Sequence, residues 1–159
     1  GTVAAGPSAA PANAPDFTGT WQLSLQRSDD PSDMLKALKV PYAARIALKR
    51  CSRQVVIEHD GLEWEETTIT SVIRRTSNMM LDGSTHVEIH PVDGSSVTMV
   101  STIEENGNCV VTKQSYADGK TCQIRRHLED DGKTYHIFQE LTVSATEVIR
   151  THNYFDRTT

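Results

Sequence analysis

Over most of this chain apolar residues recur at every second position, and one short stretch breaks that rhythm. Trp21, Leu23 and Leu25 share one face of the segment 20–26, the pattern of a half-buried strand. The next residues, Ser28-Asp29-Asp30-Pro31-Ser32-Asp33, are rich in helix-capping types and carry a proline suited to a first helical turn. Met34, Leu35 and Leu38 then recur at helical spacing until Pro41, which pushes Val40 out of the helical region. From Tyr42 to Arg50 a stripe of Ala43, Ala44, Ile46, Ala47 and Leu48 resumes the helical pattern, with Arg45, Lys49 and Arg50 beside it. Helices of about two turns are not stable alone, so this pair must dock on the rest of the fold.

After Arg53 the period of two returns and persists. It predicts strands over 54–59, 63–72, 74–80, 85–90, 96–103, 109–116, 121–128, 134–143 and 147–155. Asp60-Gly61, Asp82-Gly83, Asp93-Gly94, Asn106-Gly107, Asp118-Gly119 and Asp131-Gly132 punctuate them. Asx-Gly pairs tolerate the positive φ of tight hairpins, so the strands should follow one another as an up-and-down meander. The expected fold is all-β: an antiparallel barrel of about ten strands, capped by the helix pair. It occupies residues 16–157, and the Ala/Pro-rich segment 1–15 reads as a flexible tail.

Composition narrows the function. Hydrophobic residues make up 37% of the 159 and aromatics 6%, lean values that suit a barrel with a partly polar interior. A net charge of −5 argues against nucleic acid, which needs a broad basic face. Cys51, Cys109 and Cys122 form no disulfide framework and no zinc-ligand spacing; they read as reduced thiols in a cytoplasmic protein. The N-terminal segment lacks the pattern of a signal peptide. A monomer is expected.

Strand parity then exposes buried chemistry. Cys122, Ile124, Arg126 and Leu128 share a face, as do Val148, Arg150, His152 and Tyr154, and Val110, Thr112, Gln114 and Tyr116. If these faces point inward, Arg126 and Arg150 need an acidic partner or a wet cavity, and a ligand carboxylate would supply one. The swapped assignment, with Ile149 and Phe155 in the core and the arginines in solvent, fits the pattern equally. His86 and His90 have the wrong spacing for a metal on a strand, and His59, His127 and His136 read as surface or strand-edge residues, so no metal is expected. Cys122 beside His152 is a conceivable nucleophile pair, although a small apolar filler is the simpler role for Cys122. Glu65-Glu66 reads as solvated.

Taken in order, several segments resemble the intracellular lipid-binding proteins, the fatty-acid-binding and cellular retinoid-binding family. They are Phe17-x-Gly19-Thr20-Trp21-x-Leu23, the stretch Met34 to Arg45, Val111-x-x-Gln114-x-Tyr116-x-Asp118-Gly119, Arg126 before an acidic Gly turn, and Arg150-x-His152 in place of Arg-x-Tyr. Lys39 stands where a glycine is usual, and 74–91 aligns poorly, as in a divergent member. The resemblance implies a calycin-like ten-stranded barrel that binds and carries a fatty acid, retinoid or similar lipid, with no cofactor. It places Arg126 and Arg150 at the ligand head group, assisted by Gln114, His152 and Tyr154, with Arg45 in the second helix. The tail would lie against Trp21, Met34 and Ile124. It also implies transient contact of Lys36, Lys39, Arg45, Lys49 and Arg50 with anionic membranes. A barrel enzyme acting on a lipid or polyene through an Arg/His/Tyr cluster is the alternative.

Overall fold

The computed structural model describes residues 16–71, 73–90, 92–104 and 109–158. The expected tail and the Asn106-Gly107 hairpin lie outside the described residues. Among the described residues one strand precedes a helical pair and nine follow it, all antiparallel: β1 (Gly19–Leu23), α1 (Ser32–Ala37), α2 (Tyr42–Lys49), β2 (Gln54–Asp60), β3 (Glu63–Ile69), β4 (Arg74–Met80), β5 (Asp82–Ile89), β6 (Ser96–Ile103), β7 (Val110–Tyr116), β8 (Thr121–Glu129), β9 (Thr134–Ser144) and β10 (Glu147–Arg157). Every strand pairs with its chain neighbour except β4 with β5. β1 instead closes onto β10, with Trp21 opposite Arg157. The result is a meander wound into a barrel, open along the β4–β5 seam.

The Asx-Gly turns behave as their chemistry dictates, with one exception. Gly61, Gly94, Gly119 and Gly132 take positive φ in connections between strands. Gly83 also has positive φ but lies inside β5, where a register shift between Asp82 and Thr85 makes a bulge rather than a hairpin. The first strand stops at Leu23, short of the expected Gln26. The chain there turns to cross β10, with Ser24 and Asp29 amides donating to the Tyr154 and His152 carbonyls, and Leu25 is left exposed.

One end of the barrel is shut by aromatic rings. Phe17, Trp21, Tyr135 and Phe155 are each fully buried. Ring centroids are 5.8 Å apart for Phe17–Tyr135, 5.5 Å for Trp21–Tyr135 and 5.6 Å for Tyr135–Phe155. The Trp21 indole N–H donates to the Phe17 carbonyl at 2.9 Å, and the Arg157 guanidinium covers its ring at 4.2 Å. The helices close the other end. α1 buries Met34 and packs on β10, while α2 buries no residue fully. Lys39 holds the turn between them in the left-handed region (φ 67°). Its ammonium pairs with Asp118 at 3.3 Å and Asp93 at 3.8 Å, tying the lid to two loops of the barrel rim. No helix is long and apolar enough to cross a membrane among the described residues.

Trp21 therefore joins the N-terminal strand to the closed end through packing, a hydrogen bond and a cation–π contact. Trp21→Ala should lower the unfolding free energy by about 3–5 kcal/mol, read from the urea midpoint. A loss below about 1 kcal/mol would mean that the aromatic cluster does not hold the barrel end.

Candidate ligand-binding cavity

Cross-strand register fixes which side chains point inward. Arg126 lies opposite Ile137, and Ile137 opposite Asn153, so the inner face of β10 carries Ile149, Thr151, Asn153 and Phe155. Thr151, Asn153 and Phe155 are buried, whereas Arg150 is exposed and His152 and Tyr154 are half-buried on the outer face. The expected cavity placement of Arg150, His152 and Tyr154 is thus corrected. The Arg150 Nε donates to Glu140 Oε2 at 2.9 Å outside the barrel. Hydropathy on β10 could not decide the face, because apolar residues (Val148 and Tyr154 against Ile149 and Phe155) occur on both.

On β8 the reading of the inner face holds. Cys122, Ile124 and Arg126 are buried. Arg126 faces inward and Arg125 outward, where it pairs with Glu104 at 2.7 Å. The Arg126 Nη1 donates to the Thr112 hydroxyl at 2.8 Å, which lies 2.9 Å from the Ser101 hydroxyl. The Arg126 Nε stands 3.6 Å from Glu66 Oε1 and has no hydrogen-bond partner among the described residues. Glu66, read from the sequence as solvated, points inward two residues after Trp64. Its Oε1 accepts from the Trp64 indole at 3.1 Å and from the Tyr135 hydroxyl at 3.3 Å. Desolvation opposes the Arg126 charge, but Tyr135 and Glu66 beside it outweigh that and hold its pKa above the ordinary value.

These groups border a cavity of about 130 Å³ lined by residues of β3 to β8, including Glu66, Ser77, Glu88, Thr112, Gln114 and Arg126. Ser77 Oγ donates to the Glu88 carboxylate at 3.2 Å, bridging the β4–β5 seam. Gln114 lies at the cavity as expected; its amide approaches Met99 Sδ at 3.4 Å and its oxygen accepts from Tyr116 at 2.9 Å. Trp21, Met34 and Ile124 belong to the core but border none of this space. Arg45 stays in the lid, where Nη1 donates to the Val40 carbonyl at 2.9 Å. A second cavity of about 250 Å³ lies under the lid between Leu23, Pro31, Leu48, Arg53 and Asn153. The Arg53 carbonyl accepts from the Leu23 amide at 2.8 Å and from the Gln22 side chain at 3.2 Å, but its guanidinium has no hydrogen bond or ion pair among the described residues, and desolvation pulls its pKa below the ordinary value. Sequence reasoning missed it, although it is two residues before the buried Val55. A wider groove of about 670 Å³ is lined by outward residues such as Glu58, Asp60, Glu63 and Glu65 together with the inward-facing His59, Trp64 and Met79.

The supposed nucleophile pair does not form. Cys122 faces inward and His152 outward, and burial pushes the Cys122 thiol up to about 12.

No protein-family model and no curated protein sequence matches the chain. Solved structures do. A fatty acid transporter, REP1-NXSQ, superposes with a TM-score of 0.75 at 19% identity over 91% of this chain and 97% of its own. Fatty-acid-binding protein 1 of Echinococcus granulosus gives 0.73 at 17% identity, over 90% and 98%. Human cRBP IV gives 0.71 at 20%, over 91% and 99%. The fold implied by the sequence resemblance is the fold observed, and the low identities fit a divergent chain.

Because Arg126 and Glu66 are an internal ion pair, removing one should leave the other buried and unmatched. Arg126→Met should destabilise by about 3–5 kcal/mol. Adding Glu66→Gln to it should restore part of the loss, with a coupling of about 1–3 kcal/mol in a double-mutant cycle. Strictly additive losses would show that the two charges do not interact.

Proposed function

We propose that the barrel binds and carries a small hydrophobic ligand whose head group is neutral and hydrogen-bonding, a hydroxyl in the simplest case. One observation carries this reading: the Arg126 Nε, on a side chain that is 10% exposed, faces the interior without a hydrogen-bond partner 3.6 Å from a carboxylate oxygen of Glu66. A hydroxyl can accept from Nε and donate to Glu66 at once. A carboxylate can do only the first, and it would stand beside the Glu66 and Glu88 carboxylates that border the same cavity, with the solvent-exposed Arg75 as the other cation at its edge. With Arg150 outside, the two-arginine anchor for a fatty acid is incomplete. The similar solved structures named as a fatty acid transporter, a fatty-acid-binding protein and a cRBP support a hydrophobic ligand in general.

The cavity at Arg126 is smaller than the roughly 300–1,000 Å³ usual for ligand sites. Met79 and Met99 border it, and their flexible thioethers can repack around a chain. A separate space under the lid lies against α1 and α2. There Tyr42 and Ile46 are 69% and 55% exposed, one turn apart, and Lys49 continues their face. We read this face as the part that touches anionic membranes during transfer. Lys39 and Lys49 are already paired with Asp118 and Asp30, which leaves the apolar pair the larger share. Tyr42→Ser/Ile46→Asp should reduce co-sedimentation with anionic vesicles without altering the circular dichroism spectrum; unchanged co-sedimentation would remove α2 from this role.

The head-group reading is tested by comparing a C16 alcohol with the C16 carboxylate in calorimetric titrations of protein freed of bound lipid. The alcohol should bind about tenfold more tightly, or 1.4 kcal/mol. Glu66→Gln should shrink that preference by raising carboxylate affinity. Tighter carboxylate binding by the unaltered protein would refute a neutral head group, and saturable binding of neither would refute the carrier.

A further inference from the structure

The outward face opposite the Arg126 region holds a second constellation that ligand carriage does not use. His127 and Glu129 are two residues apart on β8 and therefore share the outer face. The turn after Glu129 brings His136 of β9 directly opposite His127 in the register. His127 Nε2 lies 2.8 Å from Glu129 Oε2, His136 Nδ1 lies 2.7 Å from the same oxygen, and the two nitrogens are 3.0 Å apart. Two imidazole nitrogens and one carboxylate oxygen are thus turned toward a single point.

We propose that His127 Nε2, His136 Nδ1 and Glu129 Oε2 bind a divalent transition-metal ion of the zinc or copper(II) class. Two imidazoles and one carboxylate form a donor set that such ions accept with a further position open to water. Calcium and magnesium favour all-oxygen ligands and are disfavoured here. Ligand bonds of about 2.0–2.2 Å place tetrahedral donors about 3.3 Å apart, so the triangle need widen by only a few tenths of an ångström. The side chains of His127 and Glu129 are 32% and 41% exposed, which gives an ion access from solvent.

The surroundings hold the deeper ligand in place. His136 is only 7% exposed, and its ring stacks on Tyr154 at 4.2 Å and on His152 at 5.1 Å. Its other nitrogen, Nε2, lies 2.8 Å from His152 Nδ1. When Nδ1 holds the ion, Nε2–H can donate to His152, the outer hydrogen bond that fixes the tautomer of metal-bound imidazoles. His152 is in turn stacked on Phe138 at 4.4 Å, and its backbone amide donates to Asp29 Oδ2 at 2.7 Å. In this account His152 is a positioning residue.

Tag-free protein titrated with zinc against a chromogenic chelator should take up one equivalent with a dissociation constant of roughly micromolar or tighter. Cobalt(II) should give visible bands of a low-coordinate nitrogen/oxygen site, and calcium and magnesium should not compete. His127→Gln and Glu129→Gln, both at accessible positions, should each weaken zinc binding by at least about tenfold. His152→Phe should weaken it by about tenfold while keeping the cobalt spectrum. The proposal is overturned by the absence of saturable zinc uptake, or by one-equivalent binding that persists in both His127→Gln and Glu129→Gln. Neither outcome bears on the interior cavity, since none of these residues borders it.

Discussion

Closure of β1 onto β10 is the constraint from which the rest follows. Once the meander returns on itself, the two-residue period assigns every strand side chain to the inside or the outside, and a shift of one position would invert a whole strand. The Trp21–Arg157 pairing and the aromatic cluster of Phe17, Trp21, Tyr135 and Phe155 lock that closure. The lid is held more loosely. It is attached through Met34, the Lys39 ion pairs and the crossing segment at Ser24 to Asp29.

Inside, closure creates a problem of charge. Arg126 is buried on an inner face, and the chain supplies its own counter-ion from β3 in Glu66. The pair is held by Thr112, Trp64 and Tyr135 but leaves the Arg126 Nε unmatched. That arrangement differs from a pair of arginines awaiting a carboxylate. It is electrically balanced as it stands, and the proposed preference for a group that bridges acid and base over one that adds a negative charge rests on that balance. Outside, the same register gathers His127, His136, His152 and Tyr154 onto one patch of β8 to β10.

The architecture was legible because its signals are local and repeated: alternating apolar residues, Asx-Gly turns and one interruption at helical spacing. The inner face of β8 was legible too, since Cys122 and Ile124 outweigh anything on the other side. β10 was not, because Thr151 and Asn153 are short polar residues that fill the interior as well as apolar ones do. Glu66 was missed for a related reason. A glutamate next to another glutamate reads as solvent-facing, and only Trp64 two positions earlier marks it as inward. The histidine patch could not be read from spacing along the chain, since His127 and His136 meet through register across a hairpin.

The central claim is that the Arg126–Glu66 pair receives the ligand head group while Arg150 does not. It is tested most directly by following the arginine Nε–H signals in nitrogen-15 NMR as a C16 alcohol is added. The Arg126 Nε–H signal should move downfield as it gains an acceptor, with Arg150 unchanged. A shift at Arg150, or saturable binding that leaves Arg126 unperturbed, would contradict it.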